Sequence, residues 1–252
     1  MKLGSTIQPQ GVQTTSLRKF GLIGGTSWRS TLSFYEAIND AINLRHGNNT
    51  NPRLNLASLD QASIHAAQKR GDWEAILELF EAAALELQST GVEGLAFCAN
   101  TPHKIYDAVQ SALRIPVLHI ADGIGRECAR REFRHIGWLG TRFSMEEDFL
   151  LGRLRHRHGL KASVPSEAAR QAIHRCVVEK LSMGHFDDDS RNLLLDQVRQ
   201  FAESGAEAVV LGCTEFPLLM DGGAAALPLI DSLACHCEQI VRFIAGDESP
   251  EA

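Results

Sequence analysis

The chain has 252 residues, enough for one large domain or two small ones with a real core. Hydrophobic residues at 44% and charged residues at 22% describe an ordinary globular protein. The net charge of −6 argues against a nucleic-acid partner, and no apolar run approaches the roughly 18 residues of a membrane span.

Residues 1–17 are polar and rich in Gln, Thr and Gly, which reads as a flexible N-terminal segment and not a signal peptide. Phe20-Gly21-Leu22-Ile23-Gly24-Gly25 is a strand entering a glycine turn, and residues 31–45 have helical spacing through Leu32, Tyr35, Ile38 and Ile42. Residues 54–59 form a second strand, 73–88 a helix stopped by Gly91, and 95–98 a third strand. A helix over 102–113 and a strand over 115–120 follow. Residues 135–141 repeat the opening strand and turn, with helices expected over 145–158, around Ile173 and Val177, and over 193–203. Residues 205–213 repeat residues 91–99, and the spacing from Gly137 to Gly205 nearly equals that from Gly21 to Gly91. Alternating strands and helices of this kind predict an α/β protein of two pseudosymmetric lobes, each a parallel sheet flanked by helices. The expected N-terminal lobe is 18–115 and the C-terminal lobe 116–225, with a helix over 226–247 returning to the first. The active site then belongs in the cleft between the lobes, where loops leave the strand C-termini.

Two segments carry the chemistry: Cys98-Ala99-Asn100-Thr101-Pro102-His103 and Gly212-Cys213-Thr214-Glu215. Each ends an apolar strand and so presents polar groups at a sheet's carboxyl edge. Pro102 suits the first helical position and Asn100 or Thr101 the N-cap, so the helix start favours a carboxylate. The same field would lower a nearby thiol from its free pKa of about 8.5. Cys213 stands just where its apolar run ends and is the best thiol acid/base; Cys98 suits a packed strand cysteine equally well. His103, one turn after Ala99, is either a proton carrier or a helix-surface or capping residue. Glu215 either orients or activates Cys213 or favours the next helix's start. Arg170 is a carboxylate clamp or a surface residue.

The other cysteines, Cys128, Cys176, Cys235 and Cys237, fall in helical patterns as packing residues, and six dispersed thiols suit a reduced cytoplasmic enzyme. Cys235-His236-Cys237 lacks a second ligand pair, so no metal is expected. Gly21-x-x-Gly24-Gly25 lacks dinucleotide spacing. Arg153, Arg155, His156, Arg157 and His158 read as a solvated helix face.

Gly21-Leu22-Ile23-Gly24-Gly25-Thr26-Ser27-Trp28, Asn100-Thr101-Pro102-His103, Gly140-Thr141-Arg142-Phe143-Ser144-Met145-Glu146 and Gly212-Cys213-Thr214-Glu215 resemble the signature segments of the aspartate/glutamate racemase family. The likeness runs from about residue 19 to 244. It implies a cofactor-independent racemase of an acidic amino acid, aspartate or glutamate, working as a homodimer without pyridoxal phosphate or any other cofactor. Its partner would be a small-molecule amino acid or dicarboxylate. Two thiols on opposite substrate faces would remove and return the Cα proton. Carried over, Asn100, Thr101 and Thr214 resemble carboxylate ligands, with Thr26 and Gln68, the latter in a loop, lining the pocket beside Glu215.

The pattern is broken at residue 99. The family's first thiol directly precedes the Asn-Thr pair, and here that residue is Ala99. The internal repeat agrees: aligning Gly91 with Gly205 pairs Ala99 with Cys213 and Cys98 with Gly212. Successive strand residues face opposite ways, so Cys98 points away from the spot that mirrors Cys213. Water, Thr101, His103 or a re-aimed Cys98 would have to supply the second proton. The alternatives are a one-base isomerase or decarboxylase and an amino-acid-binding homologue without chemistry.

Overall fold

Among the described residues, eight strands make two four-stranded parallel sheets. β1 (Phe20–Gly24), β2 (Leu54–Ser58), β3 (Gly94–Phe97) and β4 (Val117–Leu118) lie in the order β2-β1-β3-β4. β5 (His135–Gly140), β6 (Lys161–Ser163), β7 (Ala208–Gly212) and β8 (Leu229–Asp231) repeat it as β6-β5-β7-β8. The computed structural model describes residues 17–220 and 225–247, so the reading of the N-terminal segment falls, except for Leu17, outside the described residues. The inner strands are buried on both faces, as helix-covered parallel sheets require, and this is why they read as unbroken apolar runs. At the end of β1 the chain turns through Gly25 at φ +93°, where a Cβ would lie 2.0 Å from the Leu59 carbonyl oxygen. Only glycine fits there.

Strand register turns the sequence repeat into geometry. Ile23 pairs with Phe97 in the first sheet, and Leu139 with Leu211 in the second. Gly140 pairs with Gly212, and the Cys98 N–H continues the equivalent ladder to Ile23 O at 2.9 Å. Cys98 therefore matches Gly212, and Ala99 matches Cys213.

Each lobe lends the other a helix. Helix Ile120–Arg130 leaves β4 and packs Ile120, Ala121, Ile124 and Cys128 into the second sheet's apolar cluster. Helix Ser232–Ala245 leaves β8 and packs Leu233, Cys237, Ile240 and Ile244 against Phe20, Leu22, Phe34 and Ile38 of the first. The two crossing helices touch at Gly123, where a Cβ would stand 2.6 Å from the Cys235 carbonyl oxygen. Full burial of a Leu, Ile or Phe stabilises by about 1.5–3 kcal/mol each, so the exchange ties the lobes firmly.

Several elements differ from the sequence reading. The helix expected over 102–113 is a 3-10 turn, Thr101–Ile105, followed by a short α-helix, Tyr106–Ser111. The strand over 115–120 shrinks to Val117–Leu118, because the His119 side chain caps the helix beginning at Ile120. The helix over 145–158 breaks at the extended residue Glu147 into Arg142–Glu146 and Asp148–His158. The stretch 226–247 is not helical throughout: β8 precedes a helix that starts at Ser232, capped by Asp231. The basic cluster is not simply solvated. Asp122 takes a bidentate pair from Arg153 and a bond from His158, and these hold its carboxyl below the usual range although burial opposes them.

Candidate functional site

Cys213 and Glu215 follow β7 and are both buried, at 7% exposure each. The Cys213 thiol donates to Glu215 Oε2 at 3.0 Å. Thr214 Oγ1 donates to the same oxygen at 3.0 Å, and Ser27 Oγ donates to Oε1 at 3.3 Å from the first lobe. Three donors thus fix one carboxylate beside one thiol. Burial first and the Glu215 charge second push the Cys213 thiol well above its ordinary pKa, so its resting form is the protonated donor. The expected lowering by a helix start is overturned: the 3-10 turn at Thr101 is too short to supply the field, and desolvation dominates. A high thiol pKa has chemical use, since it makes the thiolate a stronger base toward a weakly acidic C–H.

From the first lobe, Asn100 and Thr101 each bond to a residue that follows a strand of the second sheet. Thr101 Oγ1 lies 3.3 Å from Thr141 Oγ1 across the lobes. Asn100 is buried and stands at the N-cap position expected of it, but its side chain makes no capping bond; its Nδ2 donates to Ser232 Oγ at 3.1 Å, and Ser232 donates to Leu211 O at 2.7 Å. That relay sets the amide's orientation and leaves Asn100 Oδ1, a buried acceptor, without a partner. Thr26 is half-buried in the turn beside Ser27. At the rim, Trp73 of the first lobe meets Phe143 of the second edge-on at 5.3 Å, and Lys104 bridges to Glu147 at 2.6 Å.

Other sequence candidates stand apart from this centre. Cys98 is 2% exposed within the apolar cluster of Phe20, Phe34 and Cys237. Its counterpart Gly212 shows the same parity, since a Cβ there would meet Trp138 in the second core. Desolvation raises the Cys98 thiol far beyond its normal pKa. His103 is held at both nitrogens by backbone. Nδ1 faces the Ala99 and Asn100 carbonyls at 3.1 Å each, and Nε2 accepts from the Ile120 N–H at 3.1 Å. The donor at Ile120 assigns the proton to Nδ1, and burial with His236 nearby pushes the pKa down to about 3. Both His103 nitrogens are thus engaged with backbone groups, the Nδ1 proton included. Gln68 is not in a loop. It occupies the last turn of helix Gln61–Arg70, capped by Asp60 and Gly71, and among the described residues it joins none of the bonds around Cys213. Arg170 is tied to Glu146 and Pro165 O within its own lobe. Cys235 packs in the second cluster and Cys237 in the first, so their sulfurs point apart.

Sequence reasoning assigned no role to Ser27, Thr141 or Ser232. The first two lie inside the recognised motifs; nothing local marks Ser232, whose part depends on β8 ending beside β7.

Comparison with known proteins shows what the chain as a whole is similar to. A family model described as Asp/Glu/Hydantoin racemase matches residues 23–240. The broad specificity amino-acid racemase RacX of Bacillus subtilis is 22% identical over 234 residues, covering 91% of this chain and 99% of that protein. A Yersinia pestis structure provisionally described as an Asp/Glu racemase is 33% identical at a TM-score of 0.84, covering 90% and 99% of the two chains. An aspartate racemase homologue from Pyrococcus horikoshii OT3 is 30% identical at a TM-score of 0.78, covering 91% and 100%. No helix among the described residues is long and apolar enough to cross a membrane.

Proposed function

This chain belongs to the Asp/Glu/hydantoin racemase family, and on that premise we propose that it moves the Cα proton of an acidic amino acid, aspartate or glutamate, with Cys213 as thiol acid/base. The observation that carries the reading is the buried thiol donating to Glu215 Oε2 at 3.0 Å. Glu215 takes the thiol proton as substrate binds, the Cys213 thiolate removes the proton from Cα, and the electron pair passes into the adjacent carboxylate as an enolate-like anion. Thr214, Thr101 and the N–H groups after Ala99 hold that carboxylate, and Thr26 borders it. No cofactor has a part in this scheme, and the working form is a cytoplasmic homodimer.

Return of a proton on the opposite face needs a second donor. With Cys98 in the core and both nitrogens of His103 engaged, the Thr101 hydroxyl and water are left for that task. Ala99 at the mirror position favours a second reading, in which Cys213 works alone on one face. That would give exchange with retention, or protonation after decarboxylation.

Incubation in heavy water with L-aspartate, L-glutamate and substituted malonates separates these. Deuteration with inversion supports the racemase. Deuteration with retention supports one-base exchange, and release of carbon dioxide from a malonate supports the decarboxylase. Binding without any of these outcomes contradicts an enzymatic role.

A further inference from the structure

His103 is 2% exposed, its ring packed against Phe97, Tyr106 and His119 at centroid distances of 5.3, 6.4 and 4.6 Å. Its two nitrogens serve different segments. Nε2 accepts from the Ile120 N–H at 3.1 Å, and Ile120 opens the helix that crosses into the second lobe's core. The next N–H of that helix, at Ala121, donates to His119 Nδ1 at 3.1 Å, so two imidazoles satisfy two of its orphan donors. A proton on His103 Nε2 would face the Ile120 N–H and the positive end of the helix. The helix thus fixes the His103 proton on Nδ1.

From Nδ1 that proton has two acceptors, Ala99 O and Asn100 O, each at 3.1 Å. In a trans peptide the N–H points opposite to the C=O, and the described residues contain no cis bond. Two carbonyls turned to the ring therefore turn the Asn100 and Thr101 N–H groups away from it. Among the described residues neither N–H has a protein acceptor, and the buried Oδ1 of Asn100 lacks a partner as well. Successive unpaired N–H groups form a concavity suited to an anion.

We infer that His103 is a positioning residue: its Nδ1–H holds the Ala99 and Asn100 carbonyls back, so that the N–H groups of Asn100 and Thr101 stay aimed at the substrate carboxylate. The inference rests on the proposed reading in which this loop receives that carboxylate. Negative charge grows on the carboxylate as Cα loses its proton. Donors fixed beforehand are then worth more in the transition state than in the ground state. His103 touches no reacting atom in this scheme; it acts through the two peptide groups it orients.

Nuclear magnetic resonance of the isotope-labelled full chain at neutral pH tests this without any variant. His103 is expected as the neutral Nδ1–H tautomer. Succinate, a dicarboxylate with no amino group, should shift the Asn100 and Thr101 amide signals. Two variants then separate positioning from support. His103→Asn sets an amide nitrogen near the place of Nδ1, keeping the donor to the loop and losing the helix cap. His103→Gln sets an amide oxygen near the place of Nε2, keeping the cap and losing the donor. His103→Gln should slow Cα exchange of L-aspartate or L-glutamate on the order of a hundredfold and weaken succinate binding, with a urea midpoint close to the wild type. His103→Asn should be the less stable protein and the more active one. Activity that simply follows stability overturns the inference, as does an Nε2–H tautomer. A wild type whose two amides shift with succinate but which exchanges no Cα hydrogen sinks the racemase reading and supports this one. Exchange with both amides unmoved sinks this one alone, and absence of both results overturns both.

Discussion

Glu215→Gln removes the negative charge 3.0 Å from the Cys213 sulfur while keeping a side chain of the same shape. At an effective dielectric near 20, two unit charges at that distance repel by on the order of 5 kcal/mol. This is a ceiling of roughly four pKa units, since the sulfur can relax away and the amide supplies a new bond. A fall in the thiol pKa is therefore expected, because burial first and Glu215 second now hold it high. Below that pKa, each unit means about tenfold more thiolate at a given pH. Turnover should move the other way. The variant loses the group that receives the thiol proton, and a positioned acid or base is worth about 10²–10⁴ in rate. Two assays on one protein read both effects: iodoacetamide alkylation of Cys213 against pH, resolved by peptide mass spectrometry, and the rate of Cα exchange. Faster alkylation with slower exchange is the expected pair. Unchanged exchange would refute the role given to Glu215, and loss of both reactivities would point to collapse of the site.

Acid should destabilise the fold through its histidines. Burial pushes His103 to about 3 and His236 to about 4, and holds His119 well below its usual value. A group with a depressed folded pKa binds its proton more readily when unfolded. Stability is thus fully present above about pH 6.5 and lost progressively as pH falls toward 4. Urea midpoints measured from pH 7 to 5 should drop; a flat profile would contradict neutral burial. Ala99→Cys should raise the rate of inversion relative to retention in heavy water, by restoring a thiol opposite Cys213. No gain, with Cys98 proving essential, would mean the register argument is wrong. Ser27→Ala removes both its cross-lobe bond to Glu215 and its N-cap bond from the Ser30 N–H, and should cost about 1–2 kcal/mol in chemical denaturation while slowing exchange more than it weakens binding. An equal loss in rate and affinity would make Ser27 a binding group only.

The duplicated fold and the Ala99 vacancy were both legible, because a repeat of strand and glycine turn carries its own register. Pairing of Ile23 with Phe97 and Leu139 with Leu211 is that register in space. Helix Gln61–Arg70 was missed because only Ile64 and Ala67 of its ten residues are buried, too few for a periodic signal. Sequence leaves His103 open between a proton carrier and a helix-surface or capping residue because its fixing partner, the Ile120 N–H, is 17 residues away and exists only once β4 is cut short. The thiol pKa was misjudged for a related reason. Sequence showed a helix start nearby, but the stronger influences, burial and a carboxylate two residues on, depend on how the lobes close.

Exchange of the Cα hydrogen of L-aspartate and L-glutamate in heavy water, compared between wild type and Cys213→Ala, tests the central claim most directly. The account predicts deuteration by the wild type and none above the uncatalysed rate in the variant, with the same circular dichroism spectrum. Equal deuteration by both proteins would contradict it.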